Sequence, residues 1–120
     1  IDMRSIEFCT ETQMKAFEAK GWLEGIDRVD GFSVNLHVFR NYLEQYLRRH
    51  PRVNQNMIIM VRQLQPTAQG LPLELYFFSD DTTWVPYEQL QAEVFEHVFA
   101  MLPTFGLRVF QSPMGIDFTK

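Results

Sequence analysis

The chain reads as an α+β domain, a ferredoxin-like sandwich with a four-stranded antiparallel sheet and two main helices on one of its faces. Three observations predict this. Two long stretches are helically periodic, one from Asn35 and one from about Pro86. Four shorter runs, MRSIEF, MIIMVRQL, LELYFFS and LRVFQ, have the composition of strands. Their order is strand, helical segment, strand, strand, helix, strand, which is the split β-α-β signature. Right-handed crossovers would then arrange the sheet as fourth, first, third, second strand. A length of 120 residues with 46% hydrophobic and 14% aromatic side chains fits a single domain over 1–120 that buries its own core.

Taken in order, Met3–Phe8 alternates Arg4, Ile6, Phe8 against Ser5 and Glu7 and predicts a short strand. Thr10 then offers an N-cap, with Gln13 placed three residues on as in a capping box, and Gly21 offers a stop. The stretch from there to Gly31 is rich in Gly and Asp and reads as loop, with irregular continuation of the helix as the alternative. In the best helix Leu36, Phe39, Leu43, Tyr46 and Leu47 form one apolar stripe. Asn35 is its N-cap, and Pro51 forbids its continuation through His50.

Met57–Leu64 is nearly continuous in apolar residues and predicts a strand buried on both faces. QPTAQGLP turns the chain into a partner strand, Leu73–Ser79. From Pro86, Tyr87, Leu90, Val94, Val98 and Met101 make the second stripe, which Pro103 and Gly106 end. Leu107–Gln111 is the last strand.

The period-2 pattern assigns Ile6, Phe8, Ile59, Val61, Leu73, Leu75, Phe77, Leu107 and Val109 to the helix side of the sheet. On the far side the row would read Arg108, Glu7, Glu74, Arg62, each outer arginine beside an inner acid. Leu73–Ser79 also carries Tyr76 and Phe78 on that far side, so both of its faces are apolar. Either cross-strand packing accommodates these rings or a neighbouring molecule covers them.

Catalytic and metal chemistry finds little footing. The pair Asp80-Asp81 stands between a strand end and a helix start, where acids suit the helix dipole, and no spaced D-x-D-x-D-G loop surrounds it. His37, His50 and His97 fall in no zinc-hydrolase frame, and Glu93 with His97 is ordinary i, i+4 helix chemistry. Cys9 is the sole cysteine, so no intrachain disulfide can form and a reducing compartment is the natural fit. Its surroundings carry no nucleophile signature and suggest a structural thiol. Glycine-rich phosphate motifs are absent. The chain is therefore expected to be no enzyme and to need no cofactor and no metal.

A net charge of −4 gives no basic stripe for nucleic acid, and the cluster Arg48-Arg49-His50 closes a helix, where positive charge is favoured. Tyr76, Phe78 and Phe110 could form a base-stacking platform, but Glu7 and Glu74 would share their face. No apolar run reaches the ~18 residues of a membrane span. Because the first methionine is at position 3, the chain is expected to be a fragment of something longer.

The second half carries a resemblance. Met60-Leu64 (MVRQL), Gly70-Tyr76 (GLPLELY), Trp84-Glu88 (WVPYE) and Phe105-Gln111 (FGLRVFQ) together resemble the carboxy-terminal cytoplasmic domain of MscS-like mechanosensitive channels. Asn35–Pro51 fits the same family, so the likeness spans about two-thirds of the chain, and the first ~30 residues match less clearly. The terminal barrel-forming strand of some members is not evident after Pro113.

The resemblance implies a homoheptameric channel of the bacterial inner membrane that opens under bilayer tension and releases solutes during hypo-osmotic shock. This chain would be its cytoplasmic α/β domain of ferredoxin-like topology, part of a vestibule wall, with the membrane helices lying outside it. Tyr76, Phe78, Trp84 and Phe110 are then candidate subunit or domain interface residues, although Trp84 could equally fold over its own core edge. A soluble ferredoxin-like domain that senses a small molecule is the alternative.

Overall fold

In the computed structural model, which describes residues 1–26 and 31–111, the helices follow the sequence pattern closely and the sheet does not. Thr10 caps the first helix, α1 (Glu11–Ala19), through the expected box. The Gln13 N–H donates to Thr10 Oγ1 at 3.2 Å and the Thr10 N–H donates to Gln13 Oε1 at 2.8 Å. α1 buries Met14 and Phe17. The second helix, α2 (Asn35–Arg49), buries Leu36, Val38, Phe39, Leu43 and Leu47. It ends at His50, whose extended backbone is what a following proline requires.

The third helix, α3, runs Trp84–Met101, two residues ahead of the expected start. Pro86 still falls in its first turn, where no intrahelical partner awaits an N–H. Leu90, Val94 and Val98 are its buried side. A 3-10 turn, Leu102–Phe105, follows and closes at Gly106, whose φ of +72° is left-handed. There the Gly106 N–H donates to Pro103 O and the Leu107 N–H to Leu102 O, both at 3.0 Å, as in a Schellman ending.

Among the described residues only two strands are regular, β1 (Met60–Gln63) and β2 (Leu73–Tyr76), paired antiparallel with Met60 opposite Tyr76 and Gln63 opposite Leu73. The fold is α+β, but the described residues form a two-stranded sheet and not the expected four-stranded ferredoxin-like one. Local side-chain bonds explain the first loss. Asp2 accepts the Arg4 N–H at 3.0 Å, and both the N–H and the hydroxyl of Ser5 donate to Asp2 O, so Met3–Ser5 is a 3-10 turn. Phe8 pairs only with Val34, as an isolated bridge.

The last expected strand fails because its first amide closes the 3-10 turn and its second, from Arg108, donates to Ser5 Oγ at 3.1 Å. What remains is pairwise. Ile1 and Leu71 exchange two hydrogen bonds of 2.8 Å, and the Asp2 N–H donates to Arg108 O at 2.8 Å.

The strand expected to be buried on both faces has one bare face. Ile59 and Val61 are buried, while Ile58 and Met60 point outward. In the partner segment Leu73, Leu75 and Phe77 pack on the core, and Tyr76 and Phe78 are exposed, so that register is as the alternation predicts. Phe8 and Val109, expected inside, are exposed. Of the charge row, Arg62 meets Glu74 directly across the ladder at 2.8 Å, whereas Arg108 reaches Asp2, at 3.8 Å, and not Glu7.

One buried amide ties these parts together. Asn35 Oδ1 accepts the N–H groups of Glu7 (3.0 Å) and Leu36 (2.8 Å), and Nδ2 donates to Ser5 O (2.9 Å) and Phe105 O (3.0 Å). Expected as the N-cap of α2, Asn35 is instead its first residue, after Val34. The stretch after Pro113 lies outside the described residues, as do 27–30 of the predicted loop.

Asn35→Ala is expected to destabilise the domain by about 3 kcal/mol, because buried carbonyl and amide groups lose their partner at ~1–3 kcal/mol each. Urea unfolding measures this, and a loss near zero would mean that water replaces the amide. Gly70 has φ +98°, and a methyl there would stand 2.3 Å from Ile1 O. Gly70→Ala is therefore expected to dislodge Ile1 and remove exchange protection from the Leu71 amide, which hydrogen exchange reads directly.

Candidate functional site

α3 is apolar on two sides. At about 100° per residue, Leu90, Val94 and Val98 share the inward arc, while Trp84, Val85, Ala92, Phe95 and Phe99 share an outward one in which Glu88 is the polar member. The outward rings are bare: Trp84 is 77% exposed, Phe95 54% and Phe99 55%. A shallow apolar groove of about 330 Å³ runs along the first turns between Trp84, Val85, Glu88, Gln89 and Ala92. Trp84 is thus not folded over the edge of its own core.

A second apolar surface is the outer face of the β1–β2 ladder. Tyr76 and Phe78 meet edge-on, with ring centres 5.4 Å apart, beside the exposed Ile58 and Met60. Of the four candidate interface residues the fold therefore joins Tyr76 with Phe78. Among the described residues neither Trp84 nor Phe110 makes a ring contact with that pair, and Phe110 is half-buried beside Gly70.

The acid pair is a junction, as its position suggested. Asp81 accepts the Thr83 N–H at 2.9 Å and also the Thr83 hydroxyl, which hold its carboxyl below the usual range. Ser79 Oγ donates to Asp81 O at 2.7 Å, and the Asp80 N–H donates to Arg52 O at 3.0 Å. Among the described residues no three His, Cys, Asp or Glu side chains converge to hold a metal ion. Cys9 is buried, and burial first, then the charge of Glu7, pushes its thiol up, away from nucleophilic reactivity.

The cluster that sequence reasoning missed joins α2 to α3. Tyr42 and Tyr46 extend from α2, and His97 from α3 enters between them. It is hydrogen-bonded to the Tyr42 hydroxyl and lies flat on the Tyr46 ring, with centres 4.0 Å apart and planes 9° apart. His50 meets Tyr46 edge-on. His50 Nε2 is 3.2 Å from Glu93 Oε1, and Arg52 is ion-paired with the other Glu93 oxygen. Glu93 and His97, read as surface chemistry of one helix, are partners of the turn after α2 and of α2 itself.

The available signal was a spacing. Tyr42 and Tyr46 stand four apart on one face of α2 with His50 four further on, just past its end, and Glu93 and His97 stand four apart on one face of α3. A cleft of about 440 Å³ opens above the cluster, walled by Trp22, Tyr42, Tyr46, Arg49, His50 and Arg52.

Electrostatics favours the neutral forms of the two histidines and two tyrosines. Burial holds His50 below the ordinary histidine value, helped by the charge of Arg52, and holds His97 below it, helped by His50. Burial likewise pushes the Tyr42 and Tyr46 phenols up. The Arg52 backbone N–H donates to His50 Nδ1 at 3.1 Å, so the ring proton sits on Nε2 and points at Glu93. Both ring nitrogens of His50 are thus engaged by its neighbours, and the ring ties the turn after α2 to α3. No protein-family model and no solved structure matches this chain.

Proposed function

We propose that this chain is a cytoplasmic vestibule domain of a homo-oligomeric MscS-like mechanosensitive channel, which releases solutes under hypo-osmotic stress. The observation that carries the reading is the outward face of α3, headed by Trp84. A domain that worked alone would seldom leave several large rings of one helix bare. A ring of like subunits supplies a covering surface from the next copy. The outer face of β1–β2, with Tyr76 and Phe78, offers a second such surface.

The motifs that carry the resemblance converge on these places. Gly70-Tyr76 contains β2, Trp84-Glu88 opens α3 and Phe105-Gln111 leads out of it. The four-stranded sheet that the resemblance implied is no part of the support. In this reading membrane attachment comes from other segments of a longer protein, since among the described residues no helix is long and apolar enough to cross a membrane. The small-molecule sensor is the weaker reading: in the cleft between α2 and α3, Tyr42, Gln45, His50, Arg52 and Glu93 are already bonded to protein partners.

Two measurements test the proposal. Trp84→Ala in the full-length protein is expected to weaken ring assembly, seen as smaller species in native mass measurement. The same change in the present chain should alter its unfolding free energy by less than ~0.5 kcal/mol, because so exposed a side chain has few contacts to lose. A variant that assembles normally would remove the role of this face. Reconstituted full-length protein is expected to pass ions when a patch of bilayer is stretched; an inserted, assembled protein that stays silent up to rupture would overturn the channel reading.

A further inference from the structure

We propose that the seam between the end of α2 and the middle of α3 is an acid-sensitive joint, closed while His50 is a neutral imidazole and opened when a proton arrives at its Nδ1. The geometry leaves the proton nowhere else to go. Nε2 already carries a hydrogen directed at Glu93 Oε1, 3.2 Å away, and Nδ1 is the acceptor for the Arg52 N–H at 3.1 Å. An imidazolium has two donors and no acceptor. Protonation therefore sets an N–H of the ring against the N–H of Arg52, inside a site where His50 is only 8% exposed. The contact cannot survive unless the turn moves.

The charges around the ring point the same way. From α2 it faces Tyr46, with Arg49 at the rim of the cleft; from the following turn, Arg52; from α3, Glu93 and His97. Glu93 is the one acid in that set, and Arg52 already shares it. Protonating His97 as well would place a second cation against the Tyr46 ring. Burial keeps both histidines below their ordinary value, so the unfolded chain takes up protons first. Stability is then intact above about pH 6.5 and is lost as pH falls through the folded values.

The displaced peptide has a route onward. Arg52 O accepts the Asp80 N–H at 3.0 Å, Asn54 donates its N–H to Phe78 O at 2.7 Å, and Val53 bridges Ser79. Asp80 leads through the Asp81–Thr83 junction to Trp84, the first residue of α3. Movement of the turn at His50 is thus coupled to the start of the exposed α3 face through the Arg52–Asp80 hydrogen bond, with the Val53–Ser79 and Asn54–Phe78 pairings beside it. The inference stands on this geometry and does not depend on the channel reading.

Nuclear magnetic resonance of the wild-type chain tests it without any variant. As pH is lowered from about 7.5 to about 5, the His50 ring signal and the Arg52 and Asp80 amides are expected to titrate together. Their common midpoint should lie below the ordinary histidine value, and both amides should lose exchange protection. A His50 ring that protonates while the Arg52 amide keeps its shift and protection would overturn the proposal, as would a midpoint at or above about 6.5.

His50→Asn keeps an acceptor for Arg52 but cannot take the proton, so its amides should stay constant over the same range. Amides that still titrate in this variant would assign the response elsewhere and sink the idea. His97→Gln, which retains a partner for Tyr42, is expected to leave the Arg52 response in place; its disappearance would move the switch from His50 to His97 and likewise overturn the assignment.

Discussion

The Asn35 side-chain amide is the tie on which the rest of the structure depends. Its two donors and two acceptor positions are all used, and they reach three separate pieces of chain: the segment Ser5–Glu7, the start of α2, and the end of the 3-10 turn at Phe105. None of those pieces belongs to a continuous ladder, so each has backbone groups that would be orphaned inside the protein. One fully satisfied amide replaces part of the hydrogen bonding that a larger sheet would have provided. Phe105 then anchors an aromatic core with Phe17, Trp22, Phe39 and Tyr42 directly beneath that tie.

The helices were legible because their information is local. Thr10 with Gln13, the stripe Leu36–Phe39–Leu43–Leu47, and Pro51 and Gly106 as stops each act within a few residues, and each acts as its chemistry predicts. The strands were less legible because a strand is completed by a partner. Alternation in Met3–Phe8 is real, yet the carboxylate and carbonyl of Asp2 capture Arg4 and Ser5 first. Leu107 and Arg108 lose their amides in the same way, to Leu102 and to Ser5 Oγ. Where no such competitor exists, in Met60–Gln63 and Leu73–Tyr76, the register and even the Arg62–Glu74 pair followed from the pattern.

The candidate surfaces were partly visible for the same reason. Tyr76 and Phe78 emerge on one side because side chains alternate along a strand, and that needs no knowledge of the partner. Phe110, half-buried beside Gly70, makes no ring contact with them, and the final segment has no ladder to fix its face. The tyrosine–histidine cluster was invisible as a unit, since its two halves lie on helices about fifty residues apart in sequence, joined at a crossing that no periodicity specifies. Spacing marked each half, but only the packing of α2 against α3 makes Glu93 a partner of His50.

That cluster also settles a question of rotation. A helix with a single oily side has one way to face a core, but α3 has two, and either could be turned inward with comparable apolar gain. Rolling α3 about its axis would exchange Leu90, Val94 and Val98 for Trp84, Phe95 and Phe99. It would also carry His97 away from Tyr42 and Glu93 away from Arg52 and His50, leaving the buried His50 ring without its carboxylate partner. The hydrophobic effect presses α3 onto the domain without choosing a side. The choice belongs to a few directional bonds, which act as a key that fits at only one angle and so decide which rings are left facing outward.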